Sequence, residues 1–248
     1  MLATERHRLI LDLLARQKSV TVLEFVETLK SSQATIRRDL QYLEEKRKLK
    51  RVHGGAECLT PSSEESLLTD KLVWYTKEKQ AIGKYVATHF LSQVKRIYLD
   101  AGSTTHNIIP FLSATKHEVI TNGVHHVSAL LEYGIPTLLV GGQLKQTTQA
   151  IIGSVALQQL QQYQFDMAIL GTNGIDFSFG FSTPDSEEAM IKQLVKNHAN
   201  QTIIVSDSSK FDKKSFHQFA TFEDTLLVVD SCPKKYQRYH NIYTVKEG

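Results

Sequence analysis

Cysteine is nearly absent from this chain: there are two, Cys58 and Cys232, among 248 residues. Two thiols so placed offer neither metal-ligand spacing nor a disulfide framework, and unpaired thiols fit a reducing cytoplasm. No apolar run is long enough to cross a bilayer, and the N-terminus, MLATERHRLI, is charged where a signal peptide would be apolar. A soluble cytoplasmic protein with no membrane partner is expected. Strong net charge is also missing. A formal charge of +3, with 41% hydrophobic and 22% charged residues, is ordinary globular composition. No group of His, Asp and Glu falls at metal-binding spacing, and the adjacent His125 and His126 read as an ordinary exposed or half-buried pair. Neither a metal nor a cofactor is expected.

The chain is long for one domain and comfortable for two. Its small net charge hides an uneven distribution. Residues 1–56 hold twelve Lys and Arg against seven Asp and Glu, while the remainder holds seventeen against nineteen. A basic head on a slightly acidic body suits a small nucleic-acid module joined to something else.

The head reads as three helices and a hairpin. Thr4–Arg16 carries Ile10, Leu13 and Leu14 at helical spacing. Thr21-Val-Leu-Glu24 has the capping-box pattern, in which hydroxyl and carboxylate satisfy each other's open amides. It opens a short helix with Val22, Phe25, Val26 and Leu29 on one face. After Lys30, Ser31 or Ser32 caps a third helix. Ile36, Leu40 and Leu43 of that helix turn inward, while Ala34, Arg38 and Gln41 point away, with Thr35 and Arg37 on the flanks. Arginine donates two bonds to guanine, glutamine pairs with adenine, and a small side chain permits close approach, so this face suits a major groove. The turn before it is two to four residues, as a helix-turn-helix requires. Lys50, Arg51 and His53 then run into Gly54-Gly55, a basic wing suited to phosphates. The candidate DNA-binding set is Ser32, Gln33, Ala34, Thr35, Arg37, Arg38, Gln41, Lys50, Arg51 and His53. The plainer alternative pairs Arg37 and Arg38 with Asp39 or Glu45 on a solvated face.

Leu59–Ser66 is polar and contains proline, which reads as a link. The predicted organisation is a winged helix-turn-helix over 1–57, a link over 58–75 and a larger domain over 76–248. Beyond a helix at Thr76–Phe90, apolar runs alternate with helical stretches. Strands are predicted at Arg96–Asp100, Glu118–Thr121, Pro136–Val140, Phe165–Gly171, Thr202–Asp207 and Thr225–Asp230. Helices are predicted at Thr104–Leu112, Val124–Tyr133, Ser154–Gln162 and Asp185–His198. That alternation predicts an α/β fold with a mainly parallel sheet, whose ligands collect at the carboxyl ends of strands. Those ends are rich in small polar residues: Asp100-Ala-Gly102-Ser103-Thr104-Thr105, Thr121-Asn122-Gly, Gly141-Gly142, Gly171-Thr-Asn173-Gly174 and Asp207-Ser-Ser-Lys210. One such loop is an ordinary turn; five at one edge point to a ligand. Glycine lets the backbone approach an oxyanion and hydroxyls donate to it, so Gly102–Thr105 before a helix is a phosphate-cradle candidate. Asp100 would repel phosphate, so it is expected to order loop amides or accept a sugar hydroxyl. Lys145 and Lys210 are the nearby cations.

Ala34-Thr-Ile-Arg-Arg-Asp-Leu-Gln-Tyr-Leu-Glu44 with Arg51-Val-His-Gly-Gly-Ala56 resembles the N-terminal signature of DeoR-type sugar-operon repressors. The loops above, with Phe165-Asp-Met-Ala, Gly174-Ile-Asp, Glu187-Glu-Ala and Asp207-Ser-Ser-Lys-Phe, resemble that family's effector domain. The resemblance spans nearly the whole chain. It implies a homo-oligomer, dimer or tetramer, on repeated double-stranded operator elements, and an effector domain similar to sugar-phosphate isomerases that senses phosphorylated sugars without turning them over. Within the family the chain looks most like repressors of fructose operons, which implies fructose 1-phosphate as effector and release from DNA on binding. One departure is Lys145, where many members carry an arginine with its planar fork. The effector set is Asp100, Gly102, Ser103, Thr104, Thr105, Thr121, Asn122, Gly141, Gly142, Lys145, Gly171, Asn173, Gly174, Glu187, Asp207 and Lys210.

An isomerase with a DNA-binding head is the rival from another class. Enediol chemistry needs a carboxylate base and a polarising donor. Asp100, Asp176, Glu187 and Asp207 offer carboxylates, but recognition of sugar hydroxyls accounts for the same residues. A sensor, not an enzyme, is expected.

Overall fold

The computed structural model describes residues 1–46, 48–58 and 67–245. The chain divides into two units, Met1–Thr76 and Lys77–Gly248. In the first, α1 (Ala3–Gln17), α2 (Val22–Leu29) and α3 (Gln33–Glu45) pack with a three-stranded antiparallel sheet. Its strands are β1 (Ser19–Thr21), β2 (Leu49–Val52) and β3 (Gly55–Cys58), in the order β1-β3-β2. Ile10, Leu14, Phe25, Leu29, Ile36, Leu40 and Leu43 meet Val20, Leu49 and Ala56 in one core. Thr21 caps α2 in a full capping box with Glu24, and the Ser32 hydroxyl caps α3 by accepting from the Thr35 amide. Lys30, between the two helices, takes a left-handed conformation (φ 48°) and closes the turn.

The predicted link Leu59–Ser66 lies outside the described residues. The segment after it belongs to the first unit: Leu68–Val73 forms α4 with Leu68 buried. Lys48 donates to the Asp70 carboxylate, and the Tyr75 amide and hydroxyl donate to Asp12 (2.7 Å) and to the Ala15 carbonyl (3.1 Å). Residues 68–75 are held by these contacts rather than serving as spacer.

The second unit opens with α5 (Thr76–Phe90). Seven parallel strands make its main sheet: β4 (Arg96–Leu99), β5 (Glu118–Thr121), β6 (Thr137–Leu139), β9 (Phe165–Gly171), β12 (Ala199–Ser206), β14 (Leu226–Val229) and β15 (Ile242–Thr244). Their order is β15-β14-β12-β9-β4-β5-β6. Both faces are buried, which is why these strands read as continuous apolar runs. Tyr98, Phe165, Leu170, Ile204 and Leu227 serve one core, and Ile97, Leu99, Ile169, Ile203 and Val228 the other. Smaller pieces lie beside the sheet: the hairpin β7 (Gln143–Lys145) with β8 (Ala150–Ile152), and the antiparallel set β10 (Gly174–Asp176), β11 (Gly180–Thr183) and β13 (His217–Ala220). Helices α6 (Ser103–His106), α7 (Val127–Glu132), α8 (Ser154–Leu160) and α9 (Ser186–Asn197) complete the unit.

The helix predicted over Thr104–Leu112 is a single turn, followed by a 3-10 turn at Ile109–Phe111. Pro110 has no amide to donate and its ring clashes with the carbonyl four residues back, while the Asn107 side chain caps the Ser103 carbonyl (2.8 Å). The chain runs β4, β5, β6 toward one edge and then returns through β9 to the other side of β4. The crevice between the carboxyl ends of β4 and β9 is therefore the topological switch point, where ligands bind in open α/β sheets. No helix among the described residues is long and apolar enough to cross a membrane.

Candidate nucleic-acid interface and effector site

On α3 the residues Gln33, Ala34, Arg37, Arg38 and Gln41 are exposed. Neither arginine has an ion-pair partner among the described residues. Asp39, the expected partner, faces the other way: its carboxylate is buried and takes the Arg6 guanidinium on both oxygens and His7 Nε2 at 2.8 Å. Burial alone would raise the pKa of this carboxyl, but the hydrogen bonds from Arg6 and then His7 outweigh it and hold it below the ordinary value. A carboxyl depressed on folding stabilises the fold above its unfolded value and ceases to as pH falls through the folded one. Acid therefore loosens this clamp between α1 and α3.

Arg37, assigned to the flank by angular position, lines an open groove of 640 Å³ with Gln33, Arg51, His53 and the start of α2 at Thr21–Leu23. The wing is the hairpin β2–β3. Lys50, Arg51 and His53 are exposed on it, and Gly54 turns it at φ 82°. Gly55 is needed for closeness: a Cβ there would stand 2.3 Å from the Val20 carbonyl oxygen. The hydroxyls of Ser32 and Thr35 bond each other at 2.8 Å and serve the helix cap. Gln41 reaches Glu45 at 3.3 Å.

In the second unit the switch point is occupied by a buried ion pair, one partner of which, Lys192, is absent from the expected set. Lys192, on the inner side of α9, donates to Asp100 Oδ2 and to the Gly171 carbonyl (3.0 Å), and the Gly171 amide donates to the same Asp100 oxygen (2.9 Å). Asp100 Oδ1 has no protein partner among the described residues. Helical spacing on α9 (Glu188, Ile191, Lys192, Val195) carried the signal, hidden because a lysine on a buried face is uncommon. Lys79 is likewise absent from the expected set. It is buried on α5, and its ammonium lies 3.0 Å from Ser103 Oγ at the first turn of α6. The Ser103 and Thr104 amides have no intrahelical carbonyl to meet, and the Thr104 hydroxyl makes no hydrogen bond among the described residues.

Most of the other expected residues make hydrogen bonds or ion pairs within the protein. The Thr105 hydroxyl donates to the Asp100 carbonyl (2.5 Å) and accepts from the Gly102 amide (3.0 Å). The Thr121 hydroxyl donates to the Leu99 carbonyl (2.6 Å). Asn122 ties the Ala101 amide (3.2 Å) to the Ile151 carbonyl (3.1 Å). The Gly141 amide donates to Gln159 (2.9 Å), and Gly142 sits at φ 145° against Ile152. Asn173 accepts from Thr183 (3.3 Å), and a Cβ at Gly174 would meet the Lys213 carbonyl at 2.5 Å. Lys145 is not a free cation: it pairs with Asp185 (2.9 Å) and Glu188 (3.1 Å). The buried carboxylate here is Glu188, which also accepts from Thr148 (2.7 Å); Glu187 is its half-buried neighbour. Asp207 accepts from the Ser209 amide (3.1 Å), and the Lys210 ammonium has no ion-pair partner among the described residues.

Beside the cradle the structure assembles what sequence spacing did not suggest. His106, at the end of α6, meets His125 and His126 after β5, with one ring nitrogen from each within 4.8 Å of the others. Burial, then the neighbouring His106, pushes the His125 pKa down to about 4; burial lowers the other two.

Two family models match the chain: the DeoR-like helix-turn-helix domain over residues 6–62 and the DeoR C terminal sensor domain over residues 75–231. The uncharacterized HTH-type transcriptional regulator FruR of Bacillus subtilis is 40% identical over 248 residues, covering 99% of this chain and 98% of the relative. The glycerol-3-phosphate regulon repressor of Escherichia coli K12 is 30% identical over 217 residues, covering 87% and 85%. Among solved structures, ribose 5-phosphate isomerase A from Methanocaldococcus jannaschii aligns with a TM-score of 0.39 at 17% identity, over 54% of this chain and 53% of that one. With both domain models matched in order and relatives similar along nearly their whole length, the chain belongs to the DeoR family of DNA-binding transcriptional regulators and is not an enzyme.

Proposed function

We propose that this protein represses a fructose-utilisation operon in the cytoplasm as a dimer or tetramer, and that fructose 1-phosphate releases it from its operator. The observation that carries the sensor reading is buried Lys79 against Ser103 at the first turn of α6, which also holds Thr104 and follows the carboxyl end of β4. A phosphate seated there gains a charge-assisted bond in a low-dielectric site. Asp100 Oδ1 is left for a sugar hydroxyl, its charge already balanced by Lys192. The choice of fructose rests on the resemblance to fructose-operon repressors and on the 40% identity to FruR. Release occurs if the effector favours a conformation with low operator affinity, since a ligand shifts an equilibrium only by its differential affinity.

The test is a panel of fructose, tagatose, glucose and glycerol phosphates, read by thermal shift and by operator binding. Fructose 1-phosphate should stabilise the protein and weaken operator binding by about 5–150-fold, the usual range of allosteric coupling. Thr104→Val should lose the response and keep operator affinity. Release by another member of the panel replaces the sugar, and no response to any of them removes the sensor reading.

At the DNA, Arg38→Ala should lose roughly 1–3 kcal/mol of discrimination between operator and random sequence if the guanidinium pairs bidentately with a base. Equal loss on both DNAs makes it a phosphate contact. Lys50→Ala and Arg51→Ala should each lower the salt slope of binding by about 0.9; unchanged slopes take the wing off the phosphates.

A further inference from the structure

From the geometry of three histidines we infer that His106, His125 and His126 form a site for a divalent transition-metal ion such as Zn2+, Ni2+ or Co2+. His126 Nε2 lies 2.9 Å from the Asp100 carbonyl and donates its proton there. That fixes the tautomer and leaves Nδ1 as a bare lone pair, the arrangement by which a ligating imidazole is oriented in metal sites. This lone pair accepts a hydrogen bond from His106 Nδ1 at 3.1 Å, and an ion placed between the two takes the position of that proton, which moves to His106 Nε2 or to solvent. Two nitrogens bound at about 2.0–2.1 Å in tetrahedral geometry sit about 3.3 Å apart, so this pair already has the required separation.

His125 supplies the second, independent observation. Both of its ring nitrogens are shut off from solvent and neither makes a hydrogen bond of ordinary geometry among the described residues, although the backbone of Gly102 bears on the ring. An orphaned buried polar group costs about 1–3 kcal/mol, and an ion is one of the few things that accounts for such a group in a native fold. The three ligand atoms lie within 4.8 Å of one another, so rotation of the His125 ring brings the third nitrogen to bear. Imidazole nitrogens select Zn2+, Ni2+, Co2+ or Cu2+ over Mg2+ or Ca2+. His106 and His125 are only partly buried.

The site would clamp the loops after β4 and β5 to each other, one residue from the Gly102–Thr105 cradle. It stands apart from the identity of the effector: it needs only these three side chains.

The test uses the untagged full chain, stripped with chelator and titrated with Co2+, whose d–d absorption reports nitrogen coordination, then competed with Zn2+. One saturable site per chain is expected, with a rise in thermal stability on Zn2+ addition. His125→Ala removes a side chain with no hydrogen bond of ordinary geometry, so metal-free stability should fall by no more than its lost packing while metal affinity falls roughly tenfold or more. His106→Gln should lower metal affinity likewise, with a small loss of metal-free stability from its hydrogen bond to His126. Absence of Co2+ and Zn2+ binding by the wild-type chain, or undiminished binding by both variants, overturns the assignment.

Discussion

Replacing Lys192 with methionine should destabilise the sensor unit by about 3–5 kcal/mol, because it leaves Asp100 buried beside an unbalanced charge. Methionine nearly preserves the volume, so the loss is electrostatic. Asp100 would retain the Gly171 amide (2.9 Å) but lose its only cation among the described residues. The double variant Lys192→Met with Asp100→Asn should recover most of the loss, since removing both charges of a buried pair is far milder than removing one. Denaturant unfolding of the three variants checks this, with the head's transition followed separately. A single variant within 1 kcal/mol of wild type, on the order of an exposed pair's worth, would mean that water reaches Asp100 and that the switch point is open to solvent without a ligand.

The second large effect is expected in the head. Gly55→Val should abolish operator binding at physiological temperature by unfolding the first unit. The added Cβ would stand 2.3 Å from the Val20 carbonyl oxygen and 2.9 Å from the Thr21 Cα, both backbone atoms that no rotamer change can move away. Overpacking of this kind costs typically 1–3 kcal/mol and more against backbone, and the head's core is small. Loss of the head's circular dichroism and melting transition, with the sensor transition unchanged, is the expected signature. A folded head that fails to bind DNA would instead place Gly55 in the interface itself.

Periodicity made most of the architecture legible. The strands at Glu118–Thr121 and Phe165–Gly171 are readable to the residue, because buried parallel strands leave uninterrupted apolar runs. Ile242–Thr244, at the sheet edge and three residues long, gives too little pattern. The caps at Thr21 and Ser32 are readable because capping is local chemistry. What spacing cannot supply is contact across the chain. Asp39 looks like a neighbour for Arg37 and Arg38, yet Arg6 and His7 from another helix claim it. Asp100 is visible as a loop carboxylate, while Lys192 and Lys79, 92 and 24 residues from their partners, are not. His106 comes next to His125 and His126 only through adjacency of β4 and β5.

Thr21 closes β1 by pairing with Gly55, and the same residue caps α2. The Val22 amide donates to the Gly54 carbonyl (2.8 Å), and α2 leads through three residues into α3. Wing and reading helix are thus joined through one residue and a short turn, so the head works as a caliper of fixed span. A caliper does not adjust to its object. With α3 in the groove and the wing on phosphates, as proposed, base steps between those contacts would be selected for how easily they set that width. Positions the protein never touches should therefore matter to its affinity.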